Sequence, residues 1–192
     1  MAKLGDAARS DENPHHPSLA ETILPRTEMA PVIMAGADLT GANLSGVRAN
    51  SANFEGATLT GAHLDYADLK GATLAEANLE RANLEGANLS GSDLRRASLA
   101  KANLARADLC QADMRGSDLS DVQARHGQLV EANLTGAILQ NTDIRGASLA
   151  GADGKKTGQT WPANLSAADL TDADLSHADL AGANLTGTIL PD

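Results

Sequence analysis

An apolar residue returns every five positions along most of this chain. Leu39 and Leu44 begin the series, Phe54, Leu59, Leu64 and Leu69 continue it, and it runs on in the same step to Leu149. Two places before each centre stands a small residue, as at Ala37, Ala42, Ala52, Ala57 and Ala62. An α-helix turns about 100° per residue, so a step of five rotates successive leucines by roughly 140° and scatters them around the cylinder. A single straight strand fails as well, because an odd spacing sends alternate leucines to opposite faces. What remains is a chain that turns once per unit, with each centre and each small residue aimed at one axis and the other three positions facing water. Only 2% of residues are aromatic, so the core is aliphatic.

The phrases "ADLTGANLSG", "ANLERANLEGANLSG" and "ADLTDADLSHADLAGANLTG" resemble the pentapeptide-repeat family over about residues 32 to 190, with roughly thirty centres. The resemblance implies an all-β solenoid, a right-handed quadrilateral β-helix with four units per coil and about seven coils. At ~4.8 Å per coil that is a rod roughly 35 Å long in which residues twenty apart stack. Asn or Asp before each centre is suited to bond the neighbouring turn backbone, a scaffold role. Ala49 and Ala124 replace the central leucine, which predicts thinner interiors in those coils.

Residues 1–17 are polar and aperiodic and read as a disordered tail. Within 18–31, Ser18 as N-cap, Glu21 three residues later and Pro25 as a stop predict a short capping helix. The competing reading is degenerate repeats, since Leu19, Leu24, Met29 and Met34 keep the five-residue phase. Repeats fill 32–151 and resume over 163–192, with an extruded loop at 152–162. Across that loop the centres step sixteen residues, from Leu149 to Leu165, so either six residues are inserted around a degenerate unit or eleven are inserted outright. The loop's Lys155, Lys156 and Trp161 combine charge with an aromatic anchor and are a candidate partner-binding site.

A net charge of −10 argues against direct nucleic-acid binding, which needs clustered cations. Arg106, Arg125, His126 and Arg145 nevertheless fall on one side if four units make a coil, a candidate basic wall patch. The last centres have no visible cap, so Leu185, Ile189 and Leu190 are a candidate interface for a homodimer through the C-terminal coil. No pair among His15, His16, His63, His126 and His177 has a metal-ligand spacing, "GKKT" lacks the glycine and helix of a phosphate loop, and Cys110 has no activating neighbour. No enzyme, cofactor or metal is expected. The absence of a leader or an apolar span predicts a cytoplasmic protein without membrane contact. These features predict a non-catalytic rod that binds or scaffolds a protein of unknown identity. Some members of the resembled family mimic DNA and bind type II topoisomerases, which makes gyrase or topoisomerase IV the alternative partner.

Overall fold

The computed structural model describes residues 18–29, 32–149 and 163–191. Each unit contributes three extended residues and a two-residue corner, and four units close a coil. The residue before each centre forms a parallel bridge to its counterpart twenty positions on, which builds four walls. The first wall runs from Ser18 through Asp38 and Asp118 to Ile189, the second from Ile23 through Asn83 to Asp174, the third from Glu28 to Asp179, and the fourth from Ile33 to Asn184. Among the described residues there are nine rungs on the first wall and eight on each of the others. The chain is an all-β solenoid, a right-handed quadrilateral β-helix.

Backbone accounting explains its coherence. In the unit at Leu84, Asn83 N–H donates down to Ala62 O (2.9 Å), while Leu84 N–H and Gly86 N–H donate up to Asn103 O (2.7 Å) and Ala105 O (2.9 Å). Ala87 N–H then closes the corner on Leu84 O at 3.0 Å. The second corner residue is left-handed, the conformation required at the second central position of a type II turn. Glycine fills many of these positions, yet Glu76 (φ 60), Arg81 (φ 59) and Arg96 (φ 57) adopt it too. Bonds above and across the corner hold them in a conformation that costs a non-glycine residue about 1–2 kcal/mol.

Inside, centres and small residues form one continuous core: Ala82, Leu84, Ala102 and Leu104 are all fully buried. The coils at Ala49 and Ala124 are not simply thinner, which corrects the expectation above. Val47 and Val122 occupy the small positions of those same two units and are fully buried. Exchanging Ala-x-Leu for Val-x-Ala loses three carbons at one position and regains two at the other, so most of the volume is kept.

Over the described residues 18–29 the N-terminal segment is built of degenerate repeats, the second of the two readings, and the capping helix is not formed. Ser18, Ile23 and Glu28 bridge to Asp38, Asn43 and Arg48. Glu21 has φ 54, which a helix excludes, and Pro25 sits first in a corner, where its fixed φ is an advantage. The three letters that suggested a cap box are corner and wall residues of degenerate units.

The break after Leu149 resolves in favour of eleven inserted residues. Bridges run at an offset of 20 up to Gln128↔Ser148, change to 31 at Asn133↔Asn164, and return to 20 at Asn164↔Asn184. Ala163 N–H closes on Leu149 O at 3.2 Å, the bond that ordinary corners such as Leu84 to Ala87 make three residues on. The insertion therefore enters at a corner and leaves both flanking walls in register.

Candidate functional site

Most wall carboxylates and amides are committed to the scaffold, as expected. Asp38 Oδ1 accepts Thr40 N–H at 3.0 Å, Asn103 Oδ1 accepts Ala105 N–H at 3.0 Å, and Asp174 Oδ1 accepts Ser176 N–H at 3.0 Å. This leaves Asp174 bracing its own corner beside His177. Cys110 is half-buried on the third corner, and burial pushes its thiol up to about 11, away from the thiolate form that a nucleophile needs.

The structure does bring Arg106, Arg125, His126 and Arg145 together, along the corner that follows the second wall. It does not make them a basic patch. Arg145 grips the Asp143 carboxylate with two bonds, at 2.9 and 2.7 Å, and reaches Asp174 at 3.4 Å. Arg125 donates to the same Asp143 from the coil below, and Arg106 lies 3.8 Å from Glu85. Arg145 first and Arg125 after it hold the Asp143 carboxyl well below the usual carboxylate range. The cluster is a chain of ion pairs, Arg125, Asp143, Arg145, Asp174, that spans the coils on either side of the insertion. A matching chain on the fourth wall links Arg95 to Asp93 (2.6 Å) and Asp113 (4.0 Å), and Arg115 to Asp113 (2.6 Å). The signal for both was present as Asp-x-Arg at 93–95, 113–115 and 143–145, where the arginine begins the corner that its own aspartate braces.

Reading the sequence missed one exposed ring. Tyr66 is 66% exposed and lies on the same corner as the arginines. Its ring rests on Gly86, where a Cβ would meet it at 2.8 Å; in the same way the His126 ring rests on Gly146, and the Arg26 stem on Gly46. Arg26, Tyr66 and His126 are each followed one coil on by glycine at this corner, so these three side chains lie over the next coil. Between Arg26 and Tyr66 this leaves a notch of about 470 Å³, lined by Pro25, Arg26, Ser45, Gly46, Asp65 and Tyr66. Asp65 Oδ1 there accepts Ser45 Oγ–H at 2.8 Å.

The walls differ in charge. The first wall with its following corner carries seven carboxylates against Arg81 and Lys101. The second wall with its corner balances four arginines, at 26, 106, 125 and 145, against four carboxylates, at 65, 85, 143 and 174. At the C-terminal end, Ile189 and Leu190 are 56% and 52% exposed, with Leu185 only partly buried against the core. Lys155, Lys156 and Trp161 lie outside the described residues.

The family model described as pentapeptide repeats matches in eight copies, over residues 37–75, 52–91, 77–116, 117–153 and 163–192. Among solved structures, HetL, a pentapeptide repeat protein involved in heterocyst differentiation regulation from Nostoc sp. strain PCC 7120, is 32% identical, with 97% of this chain and 92% of that chain covered and a TM-score of 0.53. QnrB1, a plasmid-mediated fluoroquinolone resistance protein, is 22% identical, with 90% and 86% covered and a TM-score of 0.66, a likeness of fold alone. The comparison with curated proteins finds no match. With its coils, corners and repeat phase in agreement with these matches, the chain belongs to the pentapeptide-repeat family.

Proposed function

We propose that this protein is a non-catalytic binding rod, whose rigid walls present side chains to a protein partner at fixed spacing. The observation that carries this reading is the fate of its polar groups. Aspartates and asparagines that elsewhere serve catalysis are bonded to corner N–H groups, coil after coil, while corner side chains such as Tyr66 are held flat and outward. A scaffold that spends its carboxylates on its own backbone offers shape and charge, not chemistry. HetL, a relative of similar length, is named for a regulatory process, which accords with a binding role. The inserted segment with Lys155, Lys156 and Trp161, and the apolar end at Leu185, Ile189 and Leu190, are the other surfaces proposed for contact with a partner.

The test is affinity capture with the intact protein and with a variant in which Asp38, Asp118 and Asp169 are replaced by asparagine. A partner held by the acidic first wall is lost by the variant; a partner retained by it binds elsewhere. Equal recovery of nothing by both, across native extracts and salt conditions, contradicts the binding role.

The second reading, a DNA-mimicking binder of a type II topoisomerase, is favoured by one observation, the five-charge excess of carboxylates on the first wall. Inhibition or protection of purified gyrase in a supercoiling assay supports it, and no effect at a tenfold molar excess removes it.

A further inference from the structure

Among the described residues the second wall and its corner form the one electroneutral side of a strongly acidic rod, and we infer that this side is a lateral interface with a second, antiparallel copy of the chain. Two rods of charge −10 repel wherever their acidic sides meet. Only here do equal numbers of arginines and carboxylates stand together, and the order in which they stand is self-complementary.

Taking both corner positions and the adjoining wall together, the charges stand coil by coil as Arg26, none beside Gly46, Asp65, Glu85, Arg106, Arg125, the pair Asp143 and Arg145, and Asp174. A two-fold axis lying in the interface, across the rod between the coils of Asn83 and Asn103, sets the first coil against the eighth, the third against the sixth and the fourth against the fifth. Arg26 then faces the partner's Asp174, Asp65 faces the partner's Arg125, and Glu85 faces the partner's Arg106. Every coil of net charge meets its opposite, and the seventh coil, where Arg145 cancels Asp143, meets the uncharged second coil. A parallel arrangement loses this, because it sets the corner against the other edge of the wall.

The uncharged groups follow the same symmetry. The wall itself carries no charge from Ile23 through Asn43, His63, Asn83 and Asn103 to Gln123. Asn83 and Asn103, joined within the chain at 3.0 Å, face the partner's Asn103 and Asn83 at the centre, where amides donate and accept equally. The His126 ring leans toward the coil of Gly146, and the axis carries that coil opposite Gly46. It therefore points into the partner's notch between Arg26 and Tyr66, beside Asp65. Tyr66 leans the same way along its own rod, over Gly86, toward the coil that faces the partner's Arg106, which suits a guanidinium over a phenol ring. Because these side chains already lie flat over glycines, little rotamer freedom is lost on contact.

This inference goes beyond the binding role proposed above and leaves the acidic first wall free. Its test is molar mass by light scattering and sedimentation at low and high salt, on the whole chain. Asp65 and Arg125 are three coils apart, about 14 Å, so they do not pair within one rod. The unaltered protein is expected at twice its 19.6 kDa mass in low salt, moving toward monomer in 0.5 M salt. Asp65→Arg and Arg125→Glu each give folded monomers by circular dichroism, and an equimolar mixture of the two recovers the dimer, because each like-charge contact becomes an opposite one. Ile189→Lys with Leu190→Lys leaves this dimer intact. The inference is overturned if the unaltered protein is monomeric at 100 µM in low salt, if either single charge reversal stays dimeric, if the mixture stays monomeric, or if only the change at the apolar end dissociates it.

Discussion

Nature's own substitution at Val47-Arg48-Ala49 and Val122-Gln123-Ala124 makes a quantitative prediction about the core. Leu104 and Ala102 form an ordinary unit on the second wall, one coil below Ala124, and both are fully buried. Leu104→Ala removes three carbons, worth about 2.4 kcal/mol at ~0.8 kcal/mol per buried methylene, and leaves a cavity, so the expected loss is about 2–5 kcal/mol. Adding Ala102→Val returns two carbons to the same layer and reproduces the arrangement at 122–124. It is expected to recover about 1–1.5 kcal/mol, which makes the double variant more stable than the single. Urea melts followed by circular dichroism measure both, with m compared first because long repeat arrays unfold in parts. A double variant less stable than Leu104→Ala refutes volume exchange within a unit and leaves the tolerance of Ala49 and Ala124 without its explanation.

Three further outcomes are expected. Gly56→Ala and Gly86→Ala both place a side chain in the left-handed region, but only at Gly86 does the new Cβ meet the Tyr66 ring, at 2.8 Å, so Gly86→Ala is expected to be the more destabilising by about 0.5–1.5 kcal/mol in thermal or urea melts. Asp143 has a lowered pKa in the folded state, so its contribution is full above the unfolded carboxylate value of about 4 and is lost as pH falls through the folded one; stability of Asp143→Asn is expected to decline less steeply than that of the parent below about pH 4. Deleting residues 152–162 joins Gly151 to Ala163 and restores an ordinary corner with glycine in its left-handed place, so circular dichroism and melting temperature are expected to stay near the parent's. Deleting ten or twelve residues instead misplaces Leu165 by one position and is expected to unravel the last coil and a half.

The path of the chain was legible because one rule, a small residue and a leucine per five, repeats often enough to exclude helix and flat strand at once. The N-terminal units stayed open between a capping helix and degenerate repeats because Ser18, Glu21 and Pro25 carry the same letters a helix cap uses, and the wall bridges decide for repeats. The inserted segment's length was narrowed to two values from phase alone; the choice needed the pairing of Asn133 with Asn164. Charge was harder. Arg106, Arg125, His126 and Arg145 could be placed on one side by counting, yet their neutralisation by Asp143, Asp174 and Glu85 depends on which side chains of stacked coils touch. Tyr66 was passed over because a single tyrosine in a repeat looks incidental until the glycine beneath it is seen.

The central claim is that outward positions form straight columns at a fixed rise, uninterrupted by the insertion, since every assignment of charge to a wall depends on it. Spin labels at Thr58 and Asp169, in a Cys110→Ser background, sit on the first wall five coils apart by way of Asn78, Ser98, Asp118 and Ile138. Electron-electron double resonance on the dilute, high-salt monomer is expected to give a single narrow distance near 24 Å, five steps of ~4.8 Å. A maximum one coil shorter or longer, or a broad distribution, contradicts the columns and with them the charge pattern of the second wall.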